Sequence, residues 1–480
     1  MRKLIVLPVI MLFSVLGWAQ NEASQATDSV MSLQQAIDYA LEHNHDVQKA
    51  ELEVLKAKKK VWETTAIGLP QVSASAAYSY MLTVPDALEQ FSILGDMFEP
   101  IYQAIGTNST ALVNAGLLDP NAAPQGPSDA GGESVSTDDL RTTATLDVSV
   151  SQLIFNGSYI VGLQASKTYK MLSKYQKQQS VVDLKEAVTN AYTGVLVARE
   201  SKAVLDEILK STNESIREME AMYEEGFVEN TDVDQLKLTA ATIETNKKNL
   251  ELRVKIAREM LKSTLGMDLE QPLKLTDDLD GIITHKNATT AKGFDFDVTQ
   301  NISYQLLETQ EKLKELDLKN VKAEFLPTVA GFYNHQENFN DKAFNLQPPD
   351  VVGVNVEIPI FSSWSRMSKV KQRQIELEQT RHDKANAVNG LKVQYRNTLN
   401  QFLTARNTYE NNKSNMKLAR KIYEKTQLKY KEGVSTSFDL SQAQGQYLRA
   451  QSDYFQSVMS LIEAKASLDK LSHQYQPIEN

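Results

Sequence analysis

Two aspartates stand in matched places. Asp232 lies six residues past Gly226 in Tyr223-Glu224-Glu225-Gly226, and Asp439 lies six past Gly433 in Tyr430-Lys431-Glu432-Gly433. A carboxylate just beyond a glycine turn has two uses. It can cap the next helix, accepting from free backbone amides and opposing the helix dipole. Where several copies crowd around one axis, it attracts cations and repels anions. Little else in the chain suggests chemistry. His43 and His45 form a lone His-x-His, whereas a metal centre needs three or more converging ligands, so exposed surface histidines are the plain reading. The sequence holds no phosphate loop, no Gly-x-Ser-x-Gly and no His-Glu-x-x-His. No catalytic residue, no cofactor and no metal are expected, and the chain does not read as an enzyme.

The matched aspartates belong to a longer duplication. Asn44 is followed 26 residues later by Pro70 in Leu69-Pro70, and Asn301 is followed 26 later by Pro327 in Leu326-Pro327. Ile154-Phe155 answers Ile360-Phe361, and the turn glycines come 71 and 72 residues after those phenylalanines. Ordered landmarks at matched spacing mean one structural unit used twice.

The ends and the composition narrow the class. Arg2 and Lys3, the largely apolar run Leu4 to Leu16 and Gly17-Trp18-Ala19 predict a signal peptide over residues 1–19. An exported chain without cysteine has no disulfide, no thiolate metal site and no N-terminal cysteine for a lipid anchor, so lipidation is not expected. The net charge of −10 becomes −12 once Arg2 and Lys3 are removed, which argues against nucleic acid as a partner. No later apolar stretch approaches the ~18 residues of a spanning helix. Entry into a membrane would therefore require a closed β-barrel, which hides every strand edge.

The hydrophobic period changes along each repeat. In repeat 1 (residues 32–269) the pattern predicts a helix over 32–68, a strand over 71–80, a loop over 81–143, a strand over 144–155, and helices over 158–225 and 231–265. Repeat 2 (297–472) predicts a helix over 297–325, a strand over 328–335, a loop over 336–350, a strand over 351–361, and helices over 364–432 and 437–471. Residues 20–31 precede the repeats, an irregular connector (270–296) is expected outside the main body, and a tail (473–480) follows. Val72, Ala74, Ala76, Tyr78 and Tyr80 alternate with Gln71, Ser73, Ser75, Ala77 and Ser79, the pattern of a strand with lipid on one side and water on the other. Leu146, Val148 and Val150, and then Val352, Val354 and Val356, repeat it; Thr328 to His335 does so less cleanly because of Gly331 and Asn334. The insertion 81–143 has nine carboxylates and no Lys, Arg or His between Met81 and Leu140. Leu88, Phe91, Leu94, Phe98, Ile101 and Ile105 give it one amphipathic stretch. The matching connection in repeat 2 is about 51 residues shorter, and long barrel loops lie on the extracellular side. The proline-free spans after each second strand read as long helices that need partners to bury one face.

With these motifs in order, the chain resembles the TolC-type outer membrane efflux proteins of Gram-negative bacteria. The resemblance rests on the Asn-initiated helix ending in Leu-Pro, the strand ending in Ile-Phe before a long helix, and the Tyr-x-x-Gly turn with its aspartate, all duplicated over about Ser32 to Gln474. It implies an α+β membrane protein. Three identical chains, giving four strands each, would close a 12-stranded β-barrel in the outer membrane, continued by a long α-helical barrel in the periplasm. It also implies a passive export conduit that docks with a periplasmic membrane-fusion adaptor and an inner-membrane pump of the RND or ABC type. By the same resemblance Asp439, Asp232 and Tyr430 belong to the periplasmic pore entrance, with a Tyr430–Asp232 contact. Some relatives carry a second acidic residue where Gln442 stands, and some a latching arginine where Ser435 stands. Gly226, Phe227, Gly433 and Val434 are expected to touch the adaptor. Phe155, Phe361 and Trp364 are expected at the membrane interface. The competing class is a periplasmic coiled-coil scaffold or adaptor without a pore, which would not need the four strands.

Overall fold

The computed structural model describes residues 29–83, 111–115, 142–287, 296–339 and 348–472. The expected signal peptide, the amphipathic stretch of the insertion and the C-terminal tail lie outside the described residues. In chain order the elements are β1 (Ser29–Met31), α1 (Leu33–His43), α2 (His45–Ala66), β2 (Gln71–Tyr80), β3 (Thr142–Phe155), α3 (Gly157–Glu224) and α4 (Asn230–Leu265). Then come β4 (Leu273–Leu275), α5 (Leu279–Asn287), α6 (Ile302–Ala323), β5 (Thr328–Asn338), β6 (Asp350–Glu357), α7 (Ser365–Lys431) and α8 (Ser437–Ser472).

The first expected helix is broken. Asn44 is extended, with ψ near 127°, and divides 32–68 into α1 and α2. Its side-chain oxygen accepts from the amides of Asp46 (2.9 Å) and Val47 (3.3 Å), and its amide nitrogen donates to the Thr264 carbonyl (2.9 Å). Asn301 caps α6 in the same way, accepting from Ser303 N at 2.9 Å. The duplicated asparagines are thus helix starts, where a side chain replaces missing backbone acceptors. Two strand ends also shift. β5 continues to Asn338 because β3 pairs with it that far. β6 stops at Glu357; Pro359 has no amide to donate, and Ser363 and Trp364 then adopt left-handed φ of 47° and 67°.

The described residues fall into two compact units. One draws on Ala50–Gln178 and Asp297–Lys392. It holds a four-stranded antiparallel sheet in the order β2-β3-β5-β6. Directly opposed residues of antiparallel strands share a face, so the register sorts the side chains. Val72 faces Val150, Ala74 faces Val148, Val150 faces Tyr333, and Tyr333 faces Val352. The other face pairs Ser73 with Ser149, Ser75 with Asp147, and Asp147 with Gln336. Phe332 falls on that second face and lies over Gly353, where a Cβ would come 2.6 Å from its ring. That packing accounts for the blurred alternation of β5. Among the described residues β2 and β6 each have one unpaired edge.

The other unit draws on Met1–Lys49, Gln179–Phe296 and Val393–His473. The connector expected outside the main body is part of its core. Leu273, Leu279, Ile282 and Ile283 are buried with Ala36, Ala40, Tyr192, Leu261, Phe402 and Leu461. β4 pairs in parallel with β1. The Tyr192 hydroxyl donates to the Met31 carbonyl (3.0 Å), and Arg199 donates to the carbonyls of Leu275 (3.2 Å) and Asp277 (3.1 Å). Burial pushes the Tyr192 phenol up to about 12, keeping it a donor at any working pH. The acidic surface of this stretch conceals four apolar anchors, which is why composition alone reads it as a loop.

The junction between α4 and α1 is the tightest backbone approach. Gly266 has φ +75°, and a Cβ there would lie 2.4 Å from the His43 carbonyl oxygen. Gly266→Ala is expected to destabilise the protein by about 2 kcal/mol or more. Gly390→Ala, in open space within α7, is expected to be neutral or stabilising by up to about 1 kcal/mol. Urea denaturation checks both; equal midpoints would show that the junction tolerates a side chain.

Candidate functional site

The candidate site is the pair of turns that end α3 and α7. Both are built identically. Gly226 N donates to Tyr223 O (3.0 Å) and Phe227 N to Met222 O (2.9 Å); Gly433 N donates to Tyr430 O (3.0 Å) and Val434 N to Lys429 O (2.8 Å). This double bond pattern caps the last carbonyls and needs a left-handed residue. The glycines supply it, with φ of +79° and +70°. Phe227 and Val434 follow the glycines and are 77% and 75% exposed. Phe438, also exposed, joins them at the second turn and was not singled out from the sequence. An apolar residue inside the polar run Ser435 to Asp439 was the available signal.

The two aspartates do different things. Asp439 forms a reciprocal cap with Thr436: its carboxylate accepts from Thr436 N (3.1 Å) and Oγ1 (2.8 Å), while Asp439 N donates to Thr436 Oγ1 (3.1 Å). Ser435 donates to the same oxygen at 3.3 Å. The Thr436 hydroxyl and amide, with Ser435, hold the Asp439 carboxyl below its usual range. The stabilisation from this cap is therefore present above the ordinary carboxylate pKa and is lost as pH falls through the lowered value. Asp439 is exposed, so solvent screens the effect. Asp232, in the first turn of α4, accepts instead from the Ser437 hydroxyl across to the second hairpin.

Tyr430 makes no hydrogen bond to Asp232, contrary to expectation. Its ring is buried and its hydroxyl has no partner among the described residues. Burial first, then the charges of Asp232 and Glu218, push its phenol up. The Asp232 carboxylate instead accepts from the Ser437 hydroxyl at the start of α8.

Behind the turns lies a seam that the sequence reading described only as coiled-coil-like. Tyr395, Phe402, Tyr409, Met416, Tyr423 and Tyr430 recur every seven residues in α7, and Leu440, Tyr447, Tyr454, Leu461 and Leu468 do so in α8. A seven-residue repeat keeps one face toward a partner helix, and these residues are buried or pack on the buried clusters. The Tyr423 and Tyr447 rings stack at 5.7 Å. Near the turns the first and second hairpins meet through polar groups: Gln444 donates to Thr212 Oγ1 (2.6 Å), and Lys431 pairs with Glu218 (3.0 Å).

On the sheet-bearing unit, Phe155 ends β3, while Phe361 and Trp364 follow β6, 79% and 73% exposed. His43 stacks on Tyr39 at 4.0 Å, and His45 is exposed. Among the described residues no three His, Asp or Glu side chains converge as metal ligands, and no helix is long and apolar enough to cross a membrane.

The described residues thus combine a four-stranded sheet with one apolar exposed face and two helical hairpins from a duplicated chain. Residues 125–267 and 308–472 match the family model described as outer membrane efflux protein. These segments, one in each repeat, take in well over half of the chain, and the chain belongs to that family. Solved structures agree in fold. CusC, studied for folding and transmembrane channel formation, superposes with a TM-score of 0.68 at 13% identity, over 92% of this chain and 91% of that one. The Campylobacter jejuni CmeC outer membrane channel gives 0.68 at 16% identity, over 93% and 87%. The Vibrio cholerae outer membrane protein VceC gives 0.65 at 12% identity, over 92% and 96%. No curated protein sequence matches the chain at significance. The protein is an outer membrane efflux protein of the TolC type.

The unpartnered Tyr430 hydroxyl yields a test. An unsatisfied buried hydroxyl costs about 1–3 kcal/mol. Tyr430→Phe should leave the thermal midpoint unchanged or raise it, and a fall would reveal a hydrogen-bond partner supplied by another molecule.

Proposed function

We propose that this chain is one third of a closed export conduit. The observation that carries this reading is the sheet of β2, β3, β5 and β6. Its apolar face is exposed, and both its edges are open among the described residues. About eight strands are needed even for a barrel filled by its own side chains, and open edges are not tolerated in hydrocarbon. Three copies close twelve strands into one barrel, with Val72, Tyr78, Val352 and Val354 toward lipid and Ser73, Asp147, Ser149 and Asn355 toward water. The helical hairpins then lie on the periplasmic side. A scaffold without a pore has no use for such a face. Movement through the conduit is passive, and energy comes from an inner-membrane pump reached through a periplasmic adaptor.

Within this reading Asp439, exposed at the second turn, faces the axis and gives three carboxylates at the periplasmic entrance. Asp232 lies one hairpin away, held by Ser437. The exposed Phe227 and Val434, beside Gly226 and Gly433, are the adaptor contact. Phe155, Phe361 and Trp364 mark the periplasmic edge of the membrane.

Protein extracted from outer membranes should run as a trimer and conduct in planar bilayers; a monomer without conductance would sink the reading. Asp439→Asn keeps an acceptor for Thr436 but removes the charge. It should lower the cation-to-anion permeability ratio, and an unchanged ratio would take Asp439 out of the pore. A photocrosslinker at Phe227 or Val434 should capture the adaptor encoded beside this gene in cells, and repeated failure at both positions would remove the turns from that interface.

A further inference from the structure

Between β6 and the body of α7 the chain changes character. Residues 358–375 contain four cations, Arg366, Lys369, Lys371 and Arg373, and no carboxylate, in a chain of net charge −10. The same stretch exposes Ile358, Ile360, Phe361, Trp364 and Met367. Arg373 is engaged by Glu376 at 2.7 Å, and Lys369 reaches Glu324 only at 3.8 Å. Arg366 and Lys371 have no ion pair among the described residues. Cations in the first turns of a helix oppose its dipole, and α7 has no acidic residue there to offset them. Arg366 and Lys371 thus bring the local helix no ion pair among the described residues.

Repeat 1 offers an internal comparison. Its strand enters α3 directly through Phe155, Asn156 and Gly157, with the Asn156 side-chain Oδ1 accepting from Tyr159 N at 2.7 Å. No cation follows until Lys167. In repeat 2, Ser363 and Trp364 instead take left-handed φ, and the indole stands exposed just ahead of the cations. The basic, aromatic-fronted turn is thus particular to one repeat and is not a general requirement of passing from strand to helix.

We propose that this turn is a docking site for an anionic phospholipid headgroup in the leaflet nearest the helices. Trp364, Phe361 and Ile360 enter the boundary of the acyl chains, while Arg366, Lys369 and Lys371 hold the phosphate. The chemistry is that of interfacial aromatics beside a basic cluster. Lys371 is six residues past the start of α7, about 9 Å at 1.5 Å per residue, which keeps all three cations within roughly one Debye length of the surface. The inference rests on the membrane-barrel reading above, with β6 ending at the bilayer edge.

The test uses the full-length protein purified in detergent. Native mass spectrometry compares retention of phosphatidylglycerol and phosphatidylcholine by wild type, by Arg366→Gln/Lys369→Gln/Lys371→Gln, and by Lys167→Gln/Lys170→Gln/Lys312→Gln as a control of equal charge loss. A cation beside an anionic surface is worth about fivefold in affinity. The first variant should therefore lose a phosphatidylglycerol preference on the order of 100-fold, and the control should keep it. Preference retained in the first variant, or lost equally in both, overturns the proposal. So does a Trp364→Ala protein whose subunits dissociate at lower temperature while its lipid preference stands, because the turn would then be a contact with a second copy. Bilayer conductance of the wild type is measured separately, so failure of the channel reading is distinguished from failure of the lipid site.

Discussion

A strand edge facing hydrocarbon must find a partner for every amide and carbonyl, because no water is there to substitute. Among the described residues the antiparallel sheet of this chain has four strands, and the outer edges of β2 and β6 are open. Its organisation follows from that shortage. The strands come as two pairs, one from each repeat, and each pair is delivered by a helix that ends in Leu-Pro and taken up by a helix nearly 70 residues long. Those helices cannot bury a face alone, so each turns back at a left-handed glycine, and the two hairpins share one apolar seam.

Two periodicities carry this design. In the sheet the parity of two sorts an apolar face from a polar one, and antiparallel register carries that sorting across four strands up to the register shift between Leu153 and Phe155. In the hairpins the period of seven keeps Tyr409, Tyr423, Tyr447 and Tyr454 on the shared seam. Near the turns the apolar seam of Met219, Val233, Tyr430 and Leu440 is joined by polar pairs, Gln444 on Thr212 and Ser437 on Asp232.

The repeats share a plan but not their details. Asn44 and Asn301 cap equivalent helices, and Gly226 and Gly433 close equivalent turns. Their aspartates, however, have separate duties: Asp439 completes the cap of its own helix, while Asp232 bonds across to the other hairpin. The exits from the second strands differ as well, Asn156 holding one in ordinary backbone and two left-handed residues turning the other. Duplication fixes where an element begins and ends, and single side chains decide what each end does.

The sequence by itself determined the duplication, the four strands with their apolar parity, the long helices and the glycine turns. These are local matters: period, backbone freedom at glycine and the missing amide of proline act over a few residues. Even the break at Asn44 was legible in the spacing to Pro70, although the apolar stripe around it suggested one continuous helix. Only the tertiary structure decided the rest. The connector's place in the core depends on Leu273, Leu279, Ile282 and Ile283 meeting helices from both repeats. The partner of Asp232 is Ser437, 205 residues away in the chain. Such choices are competitions between partners far apart in sequence, and no local pattern records which of them wins.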